Sequence, residues 1–446
     1  MAALAGCGGG DGGAEGPTTT TPTVTVRVVD GDTGAPLPAA TVRAQRPRGA
    51  EEATADPAGR ADLEGPALQV IGRAPGYRPR SAAVRGGRAT LELYRPELQS
   101  PQYGGGPART RYVPAVAVDP PARGERPKWT FDARTLVEFP PAVQDGVAVF
   151  GTNSGRVFAL DVDTGKVIWE TRHRGAIAAT PAIADGWALV ASMDGVVAAY
   201  RLTDGARRWA HRTNSPVESS PLVVDGTVYF GAWSGVLSAV DAESGRLRWA
   251  FQAPGAIKGS AALAGRAVVV GDYAGNVHAL DRATGARRWV YGGGRRFYGG
   301  PGVADGTVVI GDVGGSVVAL NAATGAERWR HWTGAYVYSS PAIARGKAYI
   351  GSYNGRFEAL DLRTGAVRWS FDAGQRISGS ATVVDDVVYT AVLYRRGEAR
   401  RTFGLDVRTG AVRYAGEDGR YSPAVAAGRT LILVGTRLLY AFRDPA

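Results

Sequence analysis

Hydrophobic and polar positions repeat along this chain with a fixed step. Around Ser219-Ser220-Pro221-Leu222-Val223-Val224, an apolar run ends in the turn pair Asp225-Gly226, which predicts a short strand closed by a hairpin. Residues 227–231, 236–241 and 247–249 carry the β-branched, apolar and aromatic content of three more strands. Starts of the first strand recur at Pro141, Pro181, Pro221, Ala261, Pro301, Pro341, Ala381 and Pro423. Tryptophans close the unit at Trp129, Trp169, Trp209, Trp249, Trp289, Trp329 and Trp369, forty residues apart. An eighth copy, ending in Tyr414, follows after forty-five.

Four strands in about forty residues make one blade of a β-propeller, and eight first-strand starts make eight blades. The last unit stops after Leu438-Leu439-Tyr440-Ala441-Phe442 without an outer strand, while Lys128-Trp129-Thr130-Phe131 precedes the first start. The ring is therefore expected to close by pairing these two ends, which removes exposed edges. Within each unit, Asp281-Arg282-Ala283-Thr284-Gly285 and its copies supply side-chain acceptors for a turn and a glycine for its positive φ. The tryptophans are expected in the core, wedged between neighbouring sheets.

Ahead of the propeller, Val24, Val26 and Val28 alternate with Thr25 and Arg27, a strand with one buried face. The turn cluster 30–38, the Asp56-Pro57-Ala58-Gly59 turn and the Pro75-Gly76-Tyr77 segment follow. This order resembles the carboxypeptidase regulatory-like domain, which implies a small β-sandwich over residues 23–95 acting as a spacer or adhesion module. Residues 96–126 are rich in Pro, Gly and Arg and are expected to form a linker along the propeller surface, anchored by Tyr103, Tyr112 and Val113. The propeller itself is placed at 127–446. The fold class is thus all-β: an eight-bladed propeller preceded by a small β-sandwich.

Charge changes the picture little. The 446 residues carry 52 Lys and Arg against 41 Asp and Glu, net +11, but Arg207, Arg246, Arg287, Arg328 and Arg368 are spread through the blades rather than gathered into a nucleic-acid-binding stripe. Cys7 is the single cysteine, so no disulfide framework and no cysteine-based zinc site is expected. It ends Leu4-Ala5-Gly6-Cys7, which resembles the lipobox of bacterial lipoproteins. That resemblance implies lipidation at Cys7, with residues 1–22 as a flexible Gly- and Thr/Pro-rich tether and an extracytoplasmic, membrane-anchored location in the cell envelope.

The repeated Ala-x-Asp-x-x-Thr-Gly-x-x-x-Trp, as in residues 359–369, resembles the docking motif of pyrroloquinoline quinone (PQQ)-type propellers. That family includes quinoprotein alcohol dehydrogenases and the outer-membrane assembly lipoprotein BamB. The dehydrogenase branch implies a quinone with calcium, a catalytic Asp and commonly an adjacent cysteine pair, which a chain with Cys7 alone cannot form. No cofactor, metal or catalytic residue is expected. Asp272 and Asp312 occupy equivalent loops, where solvated side chains are the ordinary reading, and His173, His211, His278 and His331 fall in separate blades without metal spacing.

Comparing the blades with one another locates variation on one face. Three residues before each inner strand the chain reads Glu138, Ala178, Glu218, Lys258, Tyr298, Tyr338, Ser378 and Arg420. Midway through the second loop it reads Asn153, Met193, Trp233, Tyr273, Val313 and Tyr353. Phe297, Trp332 and Tyr336 are expected on the same face, joined by the five-residue insertion carrying Arg395, Arg396, Arg400 and Arg401. Aromatics and charges around a funnel mouth are what a partner site uses. The expected function is a monomeric, non-enzymatic, membrane-tethered scaffold binding a protein or glycan of the envelope, with Glu138, Glu218, Lys258, Tyr298, Tyr338, Arg420, Trp233, Tyr273, Tyr353 and the four arginines as the binding set. A PQQ-dependent dehydrogenase and a structural spacer are the alternatives.

Overall fold

The computed structural model describes residues 23–46, 49–114, 118–122, 124–395 and 397–443; Cys7 and Arg396 lie outside them. The chain divides into two compact units, one within residues 1–93 and one running from Tyr94 to the end, with 31–33 joining the second. The first contains, among the described residues, two sheets. Thr23–Asp30 lies between Arg60–Glu64, antiparallel to it, and Arg88–Leu93, parallel to it. Ala50–Thr54, Thr41–Gln45, Gln69–Arg73 and Arg80–Ala83 form the other sheet. Alternating residues of both sheets (Val24, Val26, Val28, Val42, Ala44, Leu63, Val70, Leu91) share one core, so this unit is the β-sandwich its period-two pattern predicts.

The second unit contains, among the described residues, eight sheets with four antiparallel strands each, one of which gains a fifth strand. Blade 1 runs Ala142–Gln144, Val147–Gly151, Arg156–Asp161 and Val167–Arg172, from the inside out. Blades 2 to 6 repeat this at steps of forty, and blade 7 spans Thr382–Val384 to Val412–Gly416. Blade 8 takes three strands from Ala424–Ala427 to Leu438–Arg443 and its fourth from Trp129–Asp132, with Leu439 opposite Phe131 and Ala441 opposite Trp129. The innermost strands of blades 8 and 1 lie side by side, so the multi-bladed propeller closes as the strand count requires.

The repeat motif is the joint between blades. Each tryptophan donates its indole N–H, at 2.8–3.2 Å, to a carbonyl of the next blade: Trp129 to Val162, Trp169 to Leu202, and so on to Trp369 with Val407. Each ring lies on the glycine that closes the next blade's turn, preceded by Thr in five cases, by Asp204 at Gly205 and by Ser244 at Gly245. Those seven glycines have φ of +69° to +77°, and a Cβ on any of them would sit 2.6–2.8 Å from a ring carbon. Glycine is therefore required twice over, by the left-handed turn and by the ring. Tyr414 breaks the series and packs against Tyr389. The outer-strand arginines are exposed, as their positions imply. Arg248, Arg288 and Arg368 each reach the repeat aspartate at 2.6 Å.

A hydroxyl ring stitches the inner strands. Ser220, Ser260, Ser340, Ser380 and Ser422 accept through Oγ from the backbone N–H of residues 180, 220, 300, 340 and 380 in the preceding blade. Inside that ring runs the segment expected on the surface. Residues 98–113 line the axial channel and bond in turn to every blade's inner strand. The amides of Gly428, Val143, Ile183, Leu263, Val303, Ile343 and Val383 donate to the carbonyls of residues 98, 100, 101, 107, 108, 110 and 111, and Val223 N donates to Gln102 Oε1 at 3.0 Å. Tyr112–Val113 then adds a fifth, parallel strand to blade 7. The physical reason is that inner strands of a propeller leave unpaired edge amides facing the axis, and buried amides need partners. A surface course would have left those amides without protein partners.

Candidate functional site

Backbone bonds put the two variable loop sets on one face. In blades 1 to 7 the second-loop amides of residues 153, 193, 233, 273, 313, 353 and 393 donate to the carbonyls of residues 136, 176, 216, 256, 296, 336 and 376, seventeen positions earlier in every case. These repeated bonds fix the loop backbone, while the loop side chains differ from blade to blade.

At the centre of this face a shallow mouth of about 80 Å³ opens on the axis, lined by Glu138, Glu218, Lys258, Tyr298, Tyr338 and Tyr421 among others, with Tyr103 of the axial segment reaching it from inside. Glu218 is its hub. Its carboxylate accepts from the Trp233 indole at 2.9 Å and the Tyr298 hydroxyl at 2.5 Å, and Lys258 Nζ lies 3.8 Å away. That ammonium sits in an aromatic cage, 3.9 Å from the centre of the Trp233 ring and 4.9 Å from that of Tyr273. Rings continue from there: Tyr298 to Tyr338 at 5.0 Å, and Tyr338 to Tyr353 at 4.8 Å. Burial, then the Glu218 charge, push the Tyr298 and Tyr273 hydroxyls well above their usual value. Burial and Glu218 also raise the Glu138 carboxyl, with Arg420 opposing.

The structure thus brings together Glu138, Glu218, Lys258, Tyr298, Tyr338, Trp233, Tyr273 and Tyr353. Arg420 joins from blade 8's approach loop, its guanidinium 5.1 Å from the Tyr394 ring centre, while Arg400 lies 4.8 Å from the same ring. Arg395, Arg400 and Arg401 are exposed on the inserted loop. Phe297 does not belong to the face. It is fully buried between blades 4 and 5, because it occupies the forty-step position filled by Val137, Ile177, Val217, Ile257, Val337 and Ile377. Trp332 and Tyr336 are open to solvent, at 62% and 54%. Three contributors were not singled out from sequence, Tyr394, Tyr421 and Arg376, whose guanidinium lies 5.8 Å from the Tyr353 ring centre, and Tyr103 was expected only as a linker anchor. Tyr421 stands two residues before an inner strand where most blades have Ser, Gly or Ala, a signal the internal alignment holds. Tyr103 has no periodic counterpart.

The acidic loops also read differently in space. Asp272 and Asp312 are fully buried, not solvated. Asp272 is held by His278 at 2.9 Å and by the Asn276 amide at 2.8 Å. His173, His211 and His331 likewise have partners of their own: the Tyr200 hydroxyl, the Gly245 carbonyl and Glu358. Among the described residues no three His, Cys, Asp or Glu side chains converge on a metal-sized site.

A family model described as outer membrane protein assembly factor BamB matches residues 115–273, 215–291 and 273–417. The chain belongs to this family. Among solved structures, BamB from Moraxella catarrhalis aligns at 17% identity and a TM-score of 0.61, over 71% of this chain and 98% of its own. A europium-containing methanol dehydrogenase aligns at 14% identity and a TM-score of 0.65, over 76% of this chain and 89% of its own. The quinohemoprotein alcohol dehydrogenase from Comamonas testosteroni gives 14% and 0.65, over 78% and 82%. At such identities these likenesses establish the PQQ-like propeller fold. No curated protein matches the sequence.

The quinone and calcium that the dehydrogenase resemblance implies do not fit the mouth of this BamB-family chain. Its volume is about 80 Å³, well under the roughly 300–1,000 Å³ of ordinary ligand clefts. Of its two carboxylates, Glu218 is already engaged by Trp233, Tyr298 and Lys258.

Proposed function

We propose that this chain is a non-catalytic, extracytoplasmic propeller that docks a protein or glycan of the cell envelope on its tyrosine-rich mouth, held to the membrane by lipid at Cys7, with the small sandwich as a regulatory-like spacer. The observation that carries the reading is the continuous aromatic and charged network from Trp233 through Lys258 and Tyr298 to Tyr353. Tyr, Trp and Arg are the side chains that dominate protein interfaces. Family membership supports a scaffold in the envelope, and the Arg395, Arg396, Arg400 and Arg401 lip favours an acidic surface or anionic glycan. No helix among the described residues is long and apolar enough to cross a membrane; the tether in this reading is the lipid at Cys7.

The test is a photo-crosslinking residue placed at Tyr353 in the cell envelope, with the same residue at Thr284 on the opposite face as control. The reading expects a discrete crosslinked species from the Tyr353 position alone. Equal products from both positions, or none from either, would overturn it. The dehydrogenase alternative is checked by adding pyrroloquinoline quinone and calcium; a retained quinone chromophore after desalting would favour that reading instead.

A further inference from the structure

Two arginines on the axial segment are the most buried arginines among the described residues. Arg109 and Arg111 are 2% and 1% exposed, and both hold a left-handed backbone, φ +55°. Neither has a carboxylate partner among the described ion pairs. They solve burial differently. Arg109 spends its donors on carbonyls: Nε to Ala261 at 3.0 Å, Nη2 to Ser220 and Pro221 at 3.2 and 2.9 Å, and Nη1 to Tyr103. Arg111 donates only Nη1, to the Ala381 carbonyl at 3.2 Å, and lays its guanidinium over the Tyr103 ring, 3.8 Å from the centroid. Its Nε and Nη2 have no partner.

Those two nitrogens form one edge of the guanidinium fork. It is the edge with which Arg156 grips Glu170 in this same molecule, Nε at 2.7 Å and Nη2 at 2.8 Å. Arg111 lines a cavity of about 20 Å³ together with Ser100, Gln102, Thr180 and Thr382. That volume admits one water-sized particle, for which about 10–15 Å³ suffices, and is too small for a carboxylate, sulfate or phosphate. Charge decides between the candidates. A buried cation without a counter-charge is costly, and burial, with Tyr103 opposing and Arg111 adding, pushes the Arg109 guanidinium down to about 9. A neutral water satisfies hydrogen bonds but leaves two positive charges uncompensated. We infer that the axial channel binds a halide ion on the Nε–Nη2 edge of Arg111, a structural counter-ion that locks the segment 98–113 into the ring.

Among the described residues Tyr103 is the one acidic group touching Arg111, and its hydroxyl donates to Ser380 Oγ at 3.0 Å. Burial raises that hydroxyl, and Arg111 with the nearby serines pulls it net below its usual value. A tyrosinate is thus the competing counter-charge, and the experiment separates the two. The full chain is unfolded and refolded in sodium bromide, and in sodium gluconate at equal ionic strength. Expected are an anomalous bromide peak beside Arg111 in crystals, and a Tm that rises by a few degrees per tenfold bromide once the ion exceeds its Kd. Tyr103→Phe keeps both. Arg111→Met loses both; if that variant does not fold, the wild-type anomalous peak and the Tyr103→Phe titration decide alone. A water-sized peak with no anomalous signal and superimposable melting in the two salts would overturn the proposal, as would loss of the halide effect in Tyr103→Phe.

Discussion

The two faces of the propeller are made from the same eight units and have opposite character. On one face the Asp-x-x-Thr-Gly turns are nearly identical, because each receives the tryptophan of the blade before it. On the other, loops with an invariant backbone register carry Glu, Lys, Tyr, Trp or Ser at equivalent positions. The first face is fixed by what it must hold together. The second keeps one backbone register over a buried apolar column while its exposed side chains vary, as the proposed docking face requires. Repetition marks where the structure is made, and departure from it marks where a partner would be met.

Removing the internal supports should produce the largest effects. Residues 98–113 give the inner strands carbonyl partners all round the ring, each bond contributing about 0.5–1.5 kcal/mol net. Deleting them is expected to abolish cooperative unfolding of the propeller, read by calorimetry; retention of the wild-type transition would show the segment to be dispensable. Trp129→Ala and Trp249→Ala should each lose about 3–5 kcal/mol and lower Tm alike, since the closing blade uses the same joint as the others. An unchanged Tm for Trp129→Ala would break the closure account.

Glycines sharpen the contrast between the faces. At Gly285 an added Cβ meets the Trp249 ring at 2.7 Å with φ at +75°, whereas at Gly294 φ is +73° and nothing lies within 4 Å. Gly285→Ala is expected to cost about 2–5 kcal/mol through strain and ring displacement, and Gly294→Ala about 1 kcal/mol through strain alone. Denaturant midpoints for the pair test this; equal losses would mean that the ring can move aside.

Much of this architecture was legible in the sequence because a forty-residue period encodes it directly: the blades, their closure at Trp129 and the face on which loops vary. The period also held Phe297's burial, since its neighbours in register are Val and Ile, but an aromatic in a variable loop reads as surface until that column is aligned. The axial course of 98–113 was not legible. Its Pro- and Gly-rich stretch has no periodicity, and its contacts are mostly made by backbone carbonyls, which no side-chain pattern records. Asp272 was misread for a related reason: a loop carboxylate looks solvated unless the partner, here His278 six residues on, is placed beside it.

A smaller effect separates charge from shape at the mouth. The Glu138 carboxyl is raised above its ordinary 4.5 by burial and by Glu218, so the fold favours its protonated form. That contribution is complete below pH about 4.5 and is lost as pH rises through the raised value. Glu138→Gln should therefore be more stable than wild type at pH 7–8 and indistinguishable from it near pH 4. A variant equally shifted at both pH values would place the cause in packing, not charge.

The most direct measurement is capture by the variable face with stability followed in parallel. Arg395, Arg396, Arg400 and Arg401 are replaced together by Ser, and binding to an immobilised poly-glutamate peptide and to a uronic-acid oligosaccharide is measured across salt concentrations. The account predicts a marked loss of binding to at least one of the two, larger at low salt because screening already weakens exposed charges, with Tm unchanged within the shift expected of about 0.5 kcal/mol for surface substitutions. Undiminished binding at every salt concentration, or a loss of binding matched by a fall in Tm, would contradict it.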